Sequence, residues 1–350
     1  MFNPSERERY SRHFILEGFG EDAQQKLKEA RVLVIGAGGL GCPALLYLAA
    51  AGVGTIGIAD GDHVSLSNLQ RQVLYGFDDI ATNKAKAAAR KLSLNNHEIE
   101  IRAIQEFINV NNAVDLISEY DLVIDGSDNF STRYLVNDTC VMLGKPLVYG
   151  AIFKFSGQLS VFNYQNGPTY RCLYPEAPAE GEMPGCGEIG VLGVLPGIIG
   201  TWQAAEAIKV ICGTGEVLSG KLMTLDLTGN EVQYFSFAAN PQNRIITQLE
   251  AQEYSCEINI RELGWGELLL LRSTQQVRLI DVREEEEYAR QNIGAENIPL
   301  DHFKKRVKEF STSETLVIHC QSGQRAKKAI EALPEGVNAY LLKDVKWNWS

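Results

Sequence analysis

The strand-like run Arg31-Val-Leu-Val-Ile35 leads directly into Gly36-Ala-Gly-Gly-Leu-Gly41, and the apolar stretch Leu40 to Ala51 follows at once. This junction constrains the fold more than any other part of the chain. An uninterrupted run of branched apolar residues reads as a strand buried on both faces. The glycines permit a tight turn and a close backbone approach, and the helix that starts there offers its free N–H groups to an anion. Strand, glycine loop and helix in that order open a parallel crossover unit.

The alternation continues downstream. Thr55 to Ala59 reads as a strand, Lys84 to Leu94 as a helix, Ile99 to Ile104 as a strand and Ala113 to Glu119 as a short helix. Asp121 to Ile124 is again a strand and Arg133 to Leu143 a helix. The fold class this implies is α/β, a doubly wound, Rossmann-like sheet. The period then changes: Gly157 to Phe162 and Lys221 to Leu227 alternate every second residue, and Thr228-Gly-Asn-Glu231 reads as a hairpin turn into Val232 to Phe237. An antiparallel extension of the parallel sheet is expected. Pro175 to Gly190, rich in Pro, Gly and Glu, reads as a long functional loop. Val191 to Ile211 is the most apolar window, but it contains Pro196, Gln203, Glu206 and Lys209, which suits a buried helix and its approach better than a membrane span.

From Ala238 to Glu257 the strand pattern lapses, and a second alternating unit follows. Its strands are Val277 to Asp281, Leu316 to His319 and Ala339 to Leu342, and its helices Phe303 to Phe310 and Ala326 to Leu333. The expected organisation is a first domain over 1–240, a linker over 241–257 and a small α/β domain over 258–350. A length of 350 residues suits two domains. The net charge of −11 argues against non-specific nucleic-acid binding. The charged start Met1 to Tyr10 lacks the apolar core of a signal peptide. Seven cysteines, an odd number without framework spacing, suit a reducing cytoplasm.

Asp60 follows the second strand about where an acidic residue would hold a ribose hydroxyl. Taken alone, these features say only mononucleotide or dinucleotide, with an NAD oxidoreductase as the default. The string Asp60-Gly-Asp62-His-Val-Ser-Leu-Ser-Asn68-Leu-Gln-Arg71-Gln, then Lys84, then Asp125-Gly-Ser-Asp128-Asn129, changes that. With Arg9-Tyr10-Ser-Arg12 ahead of the first strand, it closely resembles the ThiF/MoeB family of ubiquitin-activating-type adenylating enzymes, over about Arg7 to Phe237. The resemblance implies that Gly36, Gly38, Gly39 and Gly41 cradle ATP phosphates and that Asp60 holds the ribose. Asn68, Arg71 and Lys84 would line the phosphate channel, and Asp128 would hold Mg²⁺. Asp62 joins the nucleotide site or serves only as a turn residue, and Asp125 ends its strand and orients the loop. Arg12 would reach across a homodimer interface to the partner's ATP. The basic residues have no purpose in an NAD oxidoreductase. They suit attack of a carboxylate on the α-phosphorus, where negative charge builds and pyrophosphate leaves.

Most relatives carry two C-x-x-C pairs that hold a structural zinc. Here the corresponding stretches read Thr169-Tyr-Arg-Cys172 and Asn240-Pro-Gln-Asn243, so no structural zinc is expected. Cys186, in Met183-Pro-Gly-Cys-Gly-Glu-Ile-Gly190, resembles the loop cysteine that in some relatives attacks the acyl-adenylate or joins a sulfur link to the carrier. Cys42, Cys140 and Cys212 lie on apolar helical stretches and read as core thiols.

Near the C-terminus, Cys320-Gln-Ser-Gly-Gln-Arg325 stands between a strand and a helix. With Asp281-Val-Arg283, Glu287-Tyr288, Ile293-Gly-Ala295 and Asn297-Ile-Pro299 it resembles a rhodanese domain, over about Ile258 to Trp349. Lys343-Asp344 stands where that family has Gly-Gly. Backbone N–H groups curled around the sulfur, with the following helix N-terminus, would favour a thiolate or an anionic persulfide. Cysteine-phosphatase loops between Cys and Arg are longer; the short spacer Gln321 to Gln324 suits sulfur better than phosphate. Asp281 and Arg283 read as scaffold.

Together these resemblances imply an enzyme that adenylates the C-terminal glycine of a ubiquitin-like sulfur-carrier protein with a Gly-Gly tail. ATP and Mg²⁺ are the expected cofactors. A persulfide on Cys320, loaded by a donor such as a cysteine desulfurase and assisted by Cys186, would supply sulfur for molybdopterin or thiamine synthesis. The alternatives are a related enzyme acting on a peptide or tRNA-bound carboxylate, and a non-catalytic scaffold. The intact Arg71, Lys84, Asp128 and Cys320 argue against the scaffold.

Overall fold

The computed structural model describes residues 1–176, 190–249, 260–311, 314–334, 336–343, 345 and 347. In it the run Arg31–Ile35 is β1, in the interior of an eight-stranded sheet. The other strands are β2 (Thr55–Ala59), β3 (Glu100–Ile104), β4 (Leu122–Asp125), β5 (Leu147–Phe153), β6 (Ser156–Phe162), β7 (Lys221–Asp226) and β8 (Glu231–Ser236). Their order is β3-β2-β1-β4-β5-β6-β7-β8, parallel from β3 to β5 and antiparallel from there to the β8 edge. The expected doubly wound sheet with an antiparallel extension is therefore present.

The period of two explains why β1 is apolar throughout. Val32 and Val34 face one layer, packed with Leu45, Leu48 and Ile199; Leu33 and Ile35 face the other, with Tyr134, Val136 and Tyr149. Val194–Cys212 is one buried helix, as its apolar composition suggested, and its polar residues are used internally. Gln203 donates to the carbonyls of Asp125 and Val148, at 2.7 and 3.4 Å, while Glu206 accepts from Leu218 N–H at 2.9 Å.

Several elements were not anticipated. β5 is one, because Gly150 breaks its apolar run. The side chain of Gln203 stands only 2.5 Å from where a Cβ at Gly150 would lie, so that strand needs a glycine to admit the helix. Helices Pro4–Arg9, Ser11–Phe14 and Gly20–Glu29 precede β1. The helix expected to begin at Arg133 begins at Phe130, capped by Asn129, whose side chain accepts from Thr132 N–H at 2.8 Å. Of the long loop, residues 177–189, including Cys186, lie outside the described residues; so do 250–259 of the stretch where strand pattern lapses. Pro241–Arg244 is a short 3₁₀ turn.

The chain forms two units, Met1–Tyr254 and Ser255–Ser350. The second holds β9 (Arg261–Leu263), β10 (Val277–Asp281), β11 (Glu296–Asn297), β12 (Thr315–His319) and β13 (Asn338–Leu342), all parallel in the order β11-β10-β12-β13-β9. Ile280, Leu316, Ile318 and Leu341 pack on one face of this sheet, and Leu279, Val317 and Leu342 on the other. The segment Phe303 to Phe310 is not a single helix. Leu300–Lys305 is helical, and Val307–Glu309 is a separate 3₁₀ turn that stacks Phe310 on Phe303 at 4.8 Å between ring centroids. Among the described residues no helix is long and apolar enough to cross a membrane.

Candidate active sites

In the first unit the strand order reverses between β1 and β4, and open parallel sheets bind ligands at such a point, beyond the carboxyl ends of the strands. The loops after β1 and β4 meet there. Gly36 has φ +85°, and a Cβ on it would lie 2.8 Å from the Gly126 carbonyl oxygen, so only glycine lets the two loops touch. Gly38 is the open member of the loop, its missing Cβ 3.8 Å from Gln72 Nε2.

Asp60 braces this loop. Its carboxylate accepts from Ala37 N–H and Asp62 N–H, both at 2.8 Å, and is buried. Burial pushes its pKa up, against the opposing charge of Lys84. Asn83 caps the helix Lys84–Asn95 and donates to the carbonyls of Asp60 and Asp62 at 3.0 and 3.1 Å, fixing where Lys84 begins. Lys84 is buried and its Nζ reaches Asp62 at 2.8 Å, while the Asp62 side chain is 58% exposed. Tyr75 O–H ties the carbonyls of Ala37 and Lys84 together at 2.8 and 3.2 Å. Glycine loop, Asp60, Asp62 and Lys84 thus form one connected constellation, with Asp60 committed to backbone and Asp62 facing solvent.

Asn68 ends a 3₁₀ turn and accepts from Ser65 N–H at 3.1 Å; Arg71 donates to Ser67 O at 3.2 Å. Gly39, whose Cβ position lies 3.6 Å from Arg71 Cγ, links this segment to the loop. Asp125 ends β4 as read from sequence. It is fully buried, accepts from Ser127 N–H at 2.8 Å, and burial raises its pKa despite the nearby Arg133 charge. Asp128 is exposed on the same loop. Arg12 is exposed on the helix Ser11–Phe14. Its neighbour Tyr10 receives Asn96 Nδ2 at 2.9 Å, and Asn96 also bonds Ala49 O at 2.7 Å. Tyr10 is therefore anchored at the far end of the helix Gly41–Ala51, roughly 16 Å from the glycine loop at 1.5 Å per residue.

Sequence reasoning gave no ligand role to three buried polar atoms of this region. Gln72 Oε1, Asp125 Oδ2 and Ser127 Oγ have no hydrogen-bond partner among the described residues, and such atoms call for a ligand, ion or water. Arg133, also passed over, is buried behind the β4 loop and donates to Ser127 O at 3.3 Å. Gln72 closed the recognised string, so its position was legible although its role was not.

At the two C-x-x-C positions, Cys172 Sγ accepts from Thr169 N–H at 3.4 Å, Asn240 N–H at 3.2 Å and Asn243 Nδ2 at 3.7 Å. Burial raises this thiol, but the hydrogen bonds outweigh it and hold the pKa below the ordinary value. No group of three or more His, Cys, Asp or Glu suited to a metal occurs among the described residues. Cys42, Cys140 and Cys212 are core thiols as read from sequence, and burial pushes Cys42 up to about 12 and Cys212 to about 11.

In the second unit the order reverses between β10 and β12, and Cys320 directly follows β12 at that point. Its side chain is buried, the loop residues Gln321 and Ser322 are exposed, and the helix Gln324–Glu331 starts after Gly323. Asp281 and Arg283 are scaffold, as expected: they form a buried pair at 2.6 Å, Arg283 donates to Gln291 O at 2.6 Å, and its guanidinium lies 4.1 Å from the Trp347 ring centroid. Tyr288 O–H donates to Ala295 O at 2.7 Å, and Asn297 Nδ2 bonds the carbonyls of Asp281 and Arg283, so the recognised motif residues hold one another. Sequence reasoning gave no role to Glu287, which grips Arg325, or to His319. The imidazole of His319 is fully buried 3.8 Å from Asp281, with no hydrogen bond to either nitrogen among the described residues. Burial drives its pKa down to about 4.

Comparison with known proteins matches residues 10–245 to the ThiF family and residues 265–346 to the rhodanese-like domain. A probable adenylyltransferase/sulfurtransferase MoeZ of Mycobacterium tuberculosis is 42% identical over 343 residues, covering 93% of this chain and 87% of that protein. A sulfur carrier protein adenylyltransferase of Thermus thermophilus is 44% identical over 265 residues, 73% of this chain and 98% of that protein. Among solved structures, the microcin C7 biosynthetic enzyme MccB in complex with N-formylated MccA is 26% identical with a TM-score of 0.59, covering 67% of this chain and 73% of that one. The glycine loop at the switch point of the first sheet and the cysteine loop at that of the second thus belong to a member of the ThiF family that carries a C-terminal rhodanese-like domain.

Proposed function

We propose that this enzyme is an adenylyltransferase and sulfurtransferase that activates a ubiquitin-like sulfur-carrier protein and converts its C-terminal carboxylate into a thiocarboxylate. The observation that carries the reading is the presence of both loops on one chain, in the arrangement of a relative named adenylyltransferase/sulfurtransferase.

The carrier's terminal carboxylate attacks the α-phosphorus of ATP, a P–O bond breaks, and pyrophosphate leaves. Gly38 N–H and its neighbours face the phosphates, and Lys84, held at its helix start by the Asn83 cap, meets the charge that builds. Asn68, which ends the 3₁₀ turn, and Arg71, three residues beyond it, complete the phosphate channel in this reading. Ribose contact falls in this reading to Asp62, whose side chain is exposed, while the buried Asp60 accepts a loop N–H on each oxygen. Asp128, exposed on the loop after β4, offers the hard oxygen donor that Mg²⁺ takes, and the ion when bound would neutralise phosphate charge. Arg12, about a helix length from its own glycine loop, serves the loop of a second copy in a homodimer.

A persulfide on Cys320 then attacks the acyl carbon. AMP leaves, and the carrier is joined to Cys320 through an acyl disulfide. A second thiol attacking Cys320 Sγ releases the thiocarboxylate and forms a disulfide, and Cys186 is the candidate. The carrier would serve molybdopterin or thiamine synthesis. ATP–pyrophosphate exchange with carriers ending in Gly-Gly, each beside its tail-deleted form, tests the reading. Tail-dependent exchange supports it and names the carrier, and no exchange with any carrier by a folded, ATP-binding protein refutes it.

A further inference from the structure

Glu287 stands on the short helix Glu285–Arg290, well apart in sequence from the Cys320 loop. Its carboxylate nevertheless grips the residue that closes that loop. Arg325 Nη1 donates to Glu287 Oε2 at 2.6 Å and Nη2 to Oε1 at 2.8 Å, a two-pronged match of guanidinium and carboxylate. The side chains are 30% and 36% exposed, so solvent screens the pair only in part. Glu284 N–H adds a third bond to Oε2 at 3.2 Å, which fixes the carboxylate against its own helix start. The hydrogen bonds from Arg325 hold Glu287 down to about 2, so the pair is ionised throughout the working range. Arg325 in turn lies within electrostatic reach of Cys320.

We propose that Glu287 sets the donor specificity of the Cys320 loop: by saturating Arg325 it excludes doubly charged sulfur oxyanions and leaves the loop to persulfide donors. This rests on the reading of Cys320 as the sulfur-carrying thiol.

Both donor classes give the same product. With a persulfide, the Cys320 thiolate attacks the outer sulfur of R–S–S⁻, the S–S bond breaks, R–S⁻ leaves and Cys320–S–S⁻ remains. With thiosulfate, it attacks the outer sulfur, the S–S bond breaks, and sulfite leaves with the bonding pair. Neither step needs an outside oxidant or reductant. The donors differ in what they ask of the site. Thiosulfate brings two negative charges and three oxygens that need N–H donors, and a guanidinium beside the loop is the group best shaped to supply them. Once bound edge-on by a carboxylate, that guanidinium offers fewer donors, and the pair as a whole carries no net charge. An alkyl persulfide carries its charge on sulfur and needs only the loop's backbone N–H groups.

The test uses the intact chain, with cyanide as acceptor: Cys320–S–S⁻ and CN⁻ give Cys320–S⁻ and thiocyanate. Thiosulfate and glutathione persulfide are compared as donors for wild type, E287Q and E287Q/R325Q, with Cys320→Ser as the blank. Gln retains size and an oxygen for Glu284 N–H. The expected result is a kcat/KM ratio of thiosulfate to persulfide about ten-fold higher in E287Q, the rate equivalent of about one charge-assisted hydrogen bond. Sulfate should become a competitive inhibitor of E287Q, and both changes should vanish in E287Q/R325Q. An unchanged ratio in E287Q, or a parallel fall with both donors, overturns the proposal while leaving the Cys320 reading standing. Wild type no better than the Cys320→Ser blank with both donors overturns both.

Discussion

The glycine loop yields a prediction in which stability and chemistry separate. At Gly36 an alanine would adopt φ +85°, which costs about 1–2 kcal/mol for an L-residue. Its Cβ would also press on the Gly126 carbonyl oxygen at 2.8 Å, a backbone atom that cannot rotate away, and overpacking of this kind costs about 1–3 kcal/mol. Gly36→Ala should therefore lose roughly 2–5 kcal/mol, a fall of roughly 5–15 °C in the unfolding midpoint of a unit this size. At Gly38 no such strain exists: φ is not positive, and the added methyl meets nothing nearer than Gln72 Nε2 at 3.8 Å. Gly38→Ala should keep the wild-type midpoint or rise by about 0.5 kcal/mol through the unfolded chain. It would, however, place a methyl where a phosphate must approach the backbone. Displacing the reacting groups by about 1 Å costs roughly 100-fold in rate. Thermal melts without nucleotide and ATP–pyrophosphate exchange with carrier, measured on both variants, decide the matter. Wild-type exchange by Gly38→Ala would refute the phosphate assignment, and a strongly lowered midpoint for that variant would refute the reading of open space.

Three further outcomes follow from the geometry. Cys320→Ser should abolish thiocarboxylate formation yet leave carrier-dependent pyrophosphate exchange intact, as mass spectrometry of the carrier and exchange kinetics would show; loss of both would break the assignment of separate sites. Cys172 should react with iodoacetamide at pH 7 faster than Cys42 or Cys212, read by peptide mapping, because its hydrogen bonds lower the thiol whereas burial raises the other two. His319 should make the second unit sensitive to mild acid: its folded pKa of about 4 lies below the unfolded 6.5, so the stability of the neutral form is complete above 6.5 and is lost as pH falls toward 4. The loss is roughly 3 kcal/mol at about 1.4 kcal/mol per unit, while Glu287 acts only below its ordinary 4.5. Urea melts of wild type and His319→Gln should diverge between pH 6.5 and 4, and parallel curves would refute the buried neutral imidazole.

What was legible in the sequence is what short-range rules encode. β1 could be read because its residues alternate between two apolar layers, and the glycine loop because its backbone admits no side chain at Gly36. β5 could not, because Gly150 weakens its pattern for the sake of Gln203, a residue 53 positions later in the chain. The candidate sites divide in the same way. Lys84 and Cys320 stand at element boundaries that the sequence announces. Which of Asp60 and Asp62 is left for a ligand depends on who claims the carboxylate first, and Ala37 N–H claims Asp60 only once β1 and β2 are paired. Glu287 is the extreme case. Glu287 entered the sequence reading only as part of the Glu287-Tyr288 motif, without a role, and the three glutamates before it are exposed. Only the tertiary placement of Arg325 makes Glu287 the counter-charge of the residue that closes the Cys320 loop. Motif spacing therefore locates the candidate reacting groups, whereas the residues proposed to tune them are found by following each charge to its partner.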